Sequence, residues 1–187
     1  MRIIGGNFKG KNIIYNYDKT TRPLKDMVRE SIFNIIGHSS NEFLELKDIK
    51  VLDLFSGTGS FGLECLSRGA GKVVFFENNP RTTEILKKNI FSLNLNKKTK
   101  IICENCYNIK RTNLIYKNFD LIFLDPPFKD KNVSQLIAEI KKLNIINNKS
   151  IIIIHRSKKI KENLSENLNI LREKNYGLSK IIFAKIV

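Results

Sequence analysis

The residues of this chain that can carry out chemistry lie in two short stretches, and each follows an apolar run. One is a glycine-rich turn of the pattern G-x-G-x-x-G, with Asp53 four residues before its first glycine. The other is the acidic, proline-rich sequence Asp125-Pro126-Pro127-Phe128. A turn of the first kind lets backbone amides approach a nucleotide-like ligand, and a carboxylate can accept hydrogen bonds from a reacting amine. Together the two stretches predict a ligand site beside a group that activates an amine.

The acidic residues around the glycine turn distinguish between two ligands. The turn from Gly57 to Gly62, with Glu77 at the end of the next strand, also fits a nicotinamide dinucleotide enzyme. Asp53, however, would repel a pyrophosphate and attract a ligand that carries a sulfonium and an α-amino group. S-adenosylmethionine has both groups and no pyrophosphate. We therefore expect S-adenosylmethionine, and a nicotinamide dinucleotide is the alternative.

The predicted donor site takes its residues from the ends of three successive strands. Gly57 and Gly59 allow the backbone to approach the methionine portion closely. Asp53 binds the α-amino group directly or through water, and Glu77 accepts both ribose hydroxyls because an ionised carboxylate has two acceptor oxygens. Asn105, after the third strand, is placed to read the adenine edge. The predicted donor-binding residues are Asp53, Phe55, Gly57, Gly59, Glu77, Asn78 and Asn105.

The Asp-Pro-Pro-Phe sequence suits methyl transfer to an exocyclic amine of a nucleic-acid base. The lone pair of such an amine is delocalised into the ring, and accepting hydrogen bonds from both N–H groups draws the nitrogen towards tetrahedral geometry. Asp125 can accept one of these bonds and the Pro126 carbonyl the other, while the two prolines hold the geometry stiff. Phe128 can stack on the base, which must be flipped out if it is paired. Asp125, Pro126 and Phe128 are therefore the predicted catalytic residues, although a Pro-Pro turn alone would suggest only a tight turn.

The net charge of the chain favours a polyanionic partner. Lys and Arg number 33 against 18 Asp and Glu, which gives a net charge of +15 and most simply indicates nucleic acid. Basic residues concentrate in the N-terminal segment, where they can bind phosphates or form an ordinary solvated face. The predicted RNA-binding residues are Arg2, Lys9, Lys11, Arg22, Lys25 and Arg29.

Apolar strands and amphipathic helices alternate through the chain and must position these residues. A basic hairpin over 1–17 and a helix from Pro23 to Gly37 come first, and Leu24, Met27 or Val28, Ile32 and Ile35 or Ile36 should face the core. Further helices are predicted over 60–68, 80–93 and 133–143. Strands are predicted over 51–54, 73–76, 100–102, 119–124, 150–154, 168–173 and 180–186.

This alternation predicts an α/β protein with a Rossmann-like, mainly parallel seven-stranded sheet. The last two strands depart from the alternation, so we expect an antiparallel edge strand. The N-terminal hairpin and helix, residues 1–37, form a small RNA-binding extension. Residues 38–187 form the S-adenosylmethionine-dependent domain.

The cysteines and the apolar runs exclude several other classes of protein. Cys103 and Cys106 form a C-x-x-C pair, but a structural zinc site needs about four ligands, so we expect ordinary thiols in a reducing compartment. No apolar run approaches the length of a membrane span, and the first residues lack the long apolar region of a signal peptide. We expect a cytoplasmic monomer that contacts neither a membrane nor a metal.

The chain resembles the bacterial family that methylates guanine N2 in small-subunit (16S) ribosomal RNA, the RsmD type. The resemblance extends nearly from end to end and rests on 1–11, 21–34, 52–70, 125–128 and 176–177. It implies S-adenosylmethionine as donor, a guanine as acceptor, and 16S rRNA or the assembling small ribosomal subunit as partner. Composition and spacing do not themselves indicate guanine. The alternatives are an adenine-N6 or other amino-methyltransferase and a non-catalytic RNA-binding assembly factor with the same fold.

One position departs from the pattern of that family. The fifth strand ends in His155-Arg156, where the family usually has a glutamate. A histidine there can take up a proton near neutral pH and meet RNA, or it can orient the Asp-Pro-Pro-Phe sequence in another way. The sequence leaves its role open.

Overall fold

The computed structural model describes residues 1–15, 24–38, 44–112, 114, 116–160 and 163–187. Its centre is a seven-stranded sheet of β1 (Lys50–Leu54), β2 (Lys72–Phe76), β3 (Thr99–Ile102), β4 (Phe119–Leu124), β5 (Ile146–Ser157), β6 (Leu168–Tyr176) and β7 (Ser179–Ile186). The strands lie in the order β3-β2-β1-β4-β5-β7-β6. β1 to β5 pair in parallel, whereas β7 pairs antiparallel with both β5 and β6. The predicted Rossmann-like sheet with an antiparallel edge is confirmed.

Helices cover both faces of this sheet. They are α1 (Asp26–His38), α2 (Ser60–Ser67), α3 (Pro80–Ser92) and α4 (Val133–Lys142). Side chains of α1, α2 and α3 pack into one hydrophobic core and those of α4 into the other. The chain moves from β1 to β3 in one direction and then reverses to β4 and β5, so right-handed crossovers place the helices on opposite faces. The reversal lies between β1 and β4, where open α/β sheets bind ligands beyond the carboxyl ends of the strands.

The strand segments at the centre of the sheet are mostly apolar because both of their faces are buried. In β4, Leu121 and Phe123 belong to the core under α1 to α3, whereas Ile122 and Leu124 belong to the core under α4. All four side chains are at most 2% exposed. Glu77 and Asp125 follow directly after β2 and β4, so these polar residues lie at one edge of the sheet.

The N-terminal segment is a hairpin with a single bridge. Arg2 and Asn12 form an antiparallel bridge around a short 3₁₀ turn at Gly6–Phe8, so the predicted strand arms are shorter than expected. The backbone amides of Ile4 and Gly5 donate to the carboxylate of Glu64 on α2, each at 2.8 Å, instead of pairing across the hairpin. The segment is thus fastened to the helix beside the glycine turn.

α1 differs from its predicted form in its bounds and in one core residue. It starts at Asp26 and continues through Gly37 to His38, so Gly37 does not end it. Pro23, the predicted start, lies outside the described residues. Val28 is buried as expected, but Met27 is 67% exposed and does not face the core. Adjacent residues on a helix point about 100° apart, and here Val28 reaches the core while Met27 points away from it.

A buried ionic cluster joins α1 to α2, and it corrects the prediction for Arg29. Arg29 and Glu64 are both fully buried, with 3.8 Å between Nε of Arg29 and Oε2 of Glu64. The Arg29 guanidinium also donates to Asp26 and to the carbonyl of Arg2. Burial lowers the pKa of Arg29, while the Asp26 and Glu64 carboxylates oppose that shift. Arg29 therefore holds the N-terminal segment in place, and its predicted contact with RNA is wrong.

Candidate active site

The register of the sheet places the polar strand ends in one row. Leu54 pairs with Phe76 and with Leu124, and Leu124 pairs with Ile154. The residues that follow these positions are Phe55, Glu77, Asp125 and His155. Because the paired strands are parallel, these four residues emerge side by side at the same edge. Residues far apart in the sequence are thus brought together between the glycine turn and the Asp-Pro-Pro-Phe loop.

The three glycines of the turn are required for three different reasons. Gly57 has a φ of +56°, and a Cβ placed there would meet nothing within 4 Å, so this residue leaves the backbone open to the cavity. Gly59 has a φ of +88°, and its Cβ would lie 2.4 Å from a methyl group of Leu86. A Cβ on Gly62 would lie 2.3 Å from the ring of Phe75. The first glycine therefore leaves open space beside the cavity, while the other two allow the turn and α2 to pack closely.

Asp53 lies beneath this turn and is only 1% exposed. Its Oδ2 accepts a hydrogen bond from the Gly62 amide at 3.0 Å, whereas its Oδ1 is buried with no hydrogen-bond partner among the described residues. Burial raises the pKa of Asp53 well above its ordinary value; the Gly62 bond opposes the shift, and the nearby Asp125 and Glu77 carboxylates add to it. Direct contact with an α-amino group requires more exposure than the side chain has here. The structure shows Asp53 holding the start of α2.

Glu77 is oriented by the glycine turn itself. Its Oε2 accepts from the Gly57 amide and its Oε1 from the Asn79 amide, both at 2.8 Å. Each carboxylate oxygen keeps a lone pair for a further donor such as a hydroxyl. Glu77 and Asn78 both line the cavity at the turn.

A wall of the cavity is formed by the segment after β3. Asn105 accepts from the Tyr107 amide at 3.0 Å through its side-chain oxygen, which leaves its NH₂ group as a donor. The ring of Tyr107 meets Phe55 edge-on, with 5.9 Å between centroids. The Tyr107 hydroxyl donates to Asp130 at 2.7 Å, which ties this wall to the loop after β4. Burial raises the pKa of Tyr107 well above its ordinary value, and the bond to Asp130 adds to the shift.

The loop after β4 carries the Asp-Pro-Pro-Phe residues, and hydrogen bonds from a residue of β5 hold it in place. Arg156, which is 1% exposed, donates to the Asp130 carbonyl at 2.6 Å and to the Pro127 carbonyl at 3.4 Å. The Asp130 amide closes the turn by donating to the Pro127 carbonyl at 2.9 Å. The Pro126 carbonyl takes part in none of the hydrogen bonds between described residues. Its role as the second acceptor stays a prediction.

His155 contacts two of the predicted catalytic residues. Its Nδ1 lies 2.8 Å from Oδ1 of Asp125, and its ring meets Phe128 edge-on with 5.4 Å between centroids. The side chain of Asp125 is 21% exposed and that of His155 is 11% exposed. Oδ2 of Asp125 takes part in none of the hydrogen bonds between residues that the structure describes.

One cavity of about 640 Å³ contains both motifs. Gly57, Glu77 and Asn105 line it together with Asp125 and Phe128. Its size falls within the range of roughly 300–1,000 Å³ that is common for small-molecule sites. Met1, Tyr15 and Leu24 of the N-terminal part of the chain also line it, so that part of the chain borders the same cavity.

The remaining predicted RNA residues stay predictions. Arg2, Lys9, Lys11 and Lys25 are exposed and available to a polyanion. Arg22 lies outside the described residues. No helix among the described residues is long and apolar enough to cross a membrane.

The two cysteines of the C-x-x-C pair differ in their exposure to solvent. Cys103 is exposed, whereas Cys106 is buried, and burial raises the pKa of Cys106 to about 12, with Asp130 adding to the shift. A thiol with so high a pKa stays protonated at neutral pH. Across the described ranges, no three His, Cys, Asp or Glu side chains are grouped to hold a metal ion.

Comparison with known proteins identifies the family. A profile of the family described as conserved hypothetical protein 95 matches residues 1–185. The ribosomal RNA small subunit methyltransferase D of Buchnera aphidicola subsp. Baizongia pistaciae is 32% identical over 98% of this chain and 90% of its own length. This chain belongs to the methyltransferase D family. The Haemophilus influenzae family member is 30% identical over 95% of this chain and 90% of its own length.

Comparison with solved structures shows the same fold. A Haemophilus influenzae protein named as a methylase aligns with a TM-score of 0.79 and 27% identity, covering 100% of this chain and 98% of that chain. The seven-stranded sheet with its antiparallel edge is thus the class I methyltransferase fold. None of these matches favours a nicotinamide enzyme.

Sequence reasoning missed the residues that support the methyltransferase site from behind. Glu64, Tyr107 and Arg156 each bond to a segment distant in the chain, and no local pattern marks such partners. His155 was noticed only because it replaces the usual glutamate of the family. One signal could have found His155. It follows the apolar run of β5 as Asp125 follows that of β4, and the register of the two strands places these residues side by side.

Proposed function

We propose that this chain transfers a methyl group from S-adenosylmethionine to the exocyclic N2 of a guanine in small-subunit ribosomal RNA. The observation that carries the proposal is the single cavity in which the glycine turn and Asp125 face the same space. Membership of the methyltransferase D family supports a methyl transfer. The relatives named for the small ribosomal subunit support that RNA as the substrate.

The residues of the cavity fit S-adenosylmethionine. Gly57 leaves open space next to exposed backbone, and Glu77 keeps lone pairs for ribose hydroxyls. Glu77 lines the cavity, and a carboxylate there attracts a cation and repels a pyrophosphate. The unpartnered Oδ1 of Asp53 can be satisfied through a water molecule that also meets the α-amino group. When bound, the donor supplies a methyl group activated by its positive sulfur.

The loop after β4 would prepare the acceptor amine. Oδ2 of Asp125 and the Pro126 carbonyl accept the two N–H groups of the amine, which frees its lone pair for in-line attack. Phe128 stacks on the base and holds it in the plane that these two acceptors define. Most of the rate enhancement then comes from holding the nitrogen in line with the methyl carbon and the sulfur.

Replacement of Asp125 by alanine tests the assigned chemistry. Asp125→Ala removes one of the two acceptors, so we expect turnover to fall by roughly a hundredfold or more, by analogy with loss of one hydrogen-bonding group that stabilises a transition state. Affinity for S-adenosylmethionine should change little, because Glu77 and the turn remain. Methyl transfer to small-subunit RNA or particles from cells lacking the enzyme measures the rate, and calorimetry measures donor binding.

The product of the same reaction decides the acceptor atom. Mass-spectrometric mapping of the methylated RNA should find N2-methylguanine at one position. N6-methyladenine, or no RNA product in the presence of bound donor, would contradict the proposal. Retained turnover in Asp125→Ala would contradict the role of that carboxylate.

A further inference from the structure

His155 stands beside Asp125 because β4 and β5 are parallel and in register. Leu124 pairs with Ile154, so the next residue of each strand emerges at the same height. The resulting contact, 2.8 Å between Nδ1 of His155 and Oδ1 of Asp125, joins residues 30 positions apart in sequence. His155 is 9% exposed, so the bond is largely shielded from solvent. A shielded hydrogen bond of this kind fixes a side chain more firmly than an exposed one.

The other ring nitrogen of His155 indicates which atom carries the proton. Nε2 is buried and has no hydrogen-bond partner among the described residues. An imidazolium would leave a charged N–H donor buried and unpaired there, which is the most costly arrangement. The tautomer with the proton on Nε2 would also bury an unpaired N–H, and it would require a proton on Asp125. The neutral ring with its proton on Nδ1 avoids both, so Nδ1 donates to an ionised Asp125.

We propose that His155 is the positioning residue of the catalytic carboxylate. Its Nδ1–H holds Oδ1 of Asp125 and fixes the rotation of the carboxylate, which is otherwise broad and two-fold for an aspartate side chain. Oδ2 is thereby directed to the substrate as a fully available acceptor. Through its edge contact with Phe128, the same ring also limits where the stacked base can lie. This inference rests on the proposed amine methylation.

Because of Arg156, the next residue in the chain, the positioning role of His155 can be distinguished from a purely structural one. Arg156 holds the Pro127 and Asp130 carbonyls, and the Asp130 amide closes the same turn. The backbone of the loop is therefore held without His155. Loss of the imidazole should disturb the orientation of the Asp125 carboxylate while the loop stays in place.

Three substitutions of His155 test the inference. The NH₂ group of Asn can occupy the position of Nδ1, that of Gln falls nearer to the position of Nε2, and Leu offers no donor. We expect His155→Leu and His155→Gln to lower kcat by roughly a hundredfold, the effect of a misplacement of about 1 Å in an active site. His155→Asn should restore kcat to within about tenfold of the wild type. KM for RNA and affinity for S-adenosylmethionine should stay unchanged in all three.

A double substitution shows whether His155 acts through Asp125. In single-turnover reactions, Asp125→Ala/His155→Leu should be no slower than Asp125→Ala alone, since a positioning residue has nothing left to position. A further decrease equal to that of His155→Leu in the wild type would overturn the inference. Equal kcat values for the Asn and Gln variants would also overturn it, and this comparison does not depend on the Leu variant folding. Absence of methyl transfer by the wild type would instead overturn the proposed function.

Discussion

At the scale of single residues, Gly57 links backbone conformation to ligand binding. Its positive φ of 56° is unfavourable for any residue with a side chain, and its missing Cβ would project into the open cavity. Gly177, in the turn between β6 and β7, has nearly the same backbone with a φ of 53° and equally open surroundings. The two glycines differ in location, because only Gly57 lines the cavity among this pair.

Alanine at these two positions should separate strain from ligand contact. Gly57→Ala and Gly177→Ala should each lower the free energy of unfolding by about 1–2 kcal/mol, the cost of left-handed backbone with a side chain. Only Gly57→Ala should also weaken binding of S-adenosylmethionine, by roughly tenfold or more, which corresponds to about 1.4 kcal/mol. Denaturant unfolding and calorimetry measure the two effects. Equal donor affinity in both variants would show that the backbone at Gly57 does not approach the donor.

Candidate site residues that come at or directly after the end of an apolar strand could be recognised from the sequence. Asp125, Glu77 and Gly57 could be predicted because each interrupts or ends an apolar run, which is visible in one dimension. Arg29 was misjudged because its partner, Glu64, lies on another helix, and a sequence does not show that an arginine will be enclosed. Asp53 was predicted to bind the ligand directly or through water, whereas its enclosure beneath the turn depends on how α2 packs.

At the scale of elements, the attachment of the N-terminal segment to α2 depends on one carboxylate. Glu64 accepts the amides of Ile4 and Gly5 and the guanidinium of Arg68, and Arg29 lies beside it. A buried charge with this many partners contributes little net stability as a pair, but its removal leaves the other charges and amides unpaired. The predicted boundary between an extension, residues 1–37, and a catalytic domain stays a prediction. Residues of both parts pack into one hydrophobic core.

Removal of the Glu64 carboxylate should therefore be costly. We expect Glu64→Ala to lower the free energy of unfolding by about 3–5 kcal/mol, as observed when one member of a buried ion pair is removed. Glu84→Ala is the matched control, because Glu84 pairs with Lys87 on the solvent face of α3 and both side chains are more than half exposed. The control should leave the unfolding midpoint unchanged. Equal effects of the two substitutions would exclude an anchoring role for Glu64.

The element boundaries were predicted within a few residues, and the exceptions have physical causes. The predicted hairpin over 1–17 became a single bridge because Glu64 and Ser67 accept amides that longer arms would pair. α1 extends through Gly37 because a glycine near a helix end is permitted, not required, to stop it. β5 is longer than predicted, Ile146–Ser157, because it gains partners on both sides from β4 and β7.

At the scale of the whole molecule, exposed lysine pairs on the two faces of the sheet can be compared as RNA-binding surfaces. Lys9 and Lys11 are exposed on the N-terminal segment, whose buried residues belong to the core under α1 to α3. Lys141 and Lys142 are exposed on α4, which packs on the opposite face of the sheet. The two lysine pairs carry the same charge. A comparison between them therefore tests the effect of position on RNA binding.

Charge reversal of these pairs should locate the RNA-binding face. Lys9→Glu/Lys11→Glu should weaken RNA binding, and the slope of log affinity against log salt should fall by about one for each RNA phosphate that the protein no longer neutralises. Lys141→Glu/Lys142→Glu should bind RNA much as the wild type does. Donor affinity should be unchanged in both. A larger effect of the α4 pair would place RNA on the other face of the sheet.

The bonds from Ile4 and Gly5 to Glu64 also constrain the order in which the chain can fold. Ile4 finds its hydrogen-bond partner 60 positions later in the chain, so it cannot reach its final place until α2 has formed. During translation, the basic N-terminal segment therefore stays unattached while β1 and the glycine turn emerge. Closure of the wall that Met1 and Tyr15 give to the cavity is then a late event, which follows formation of the glycine turn.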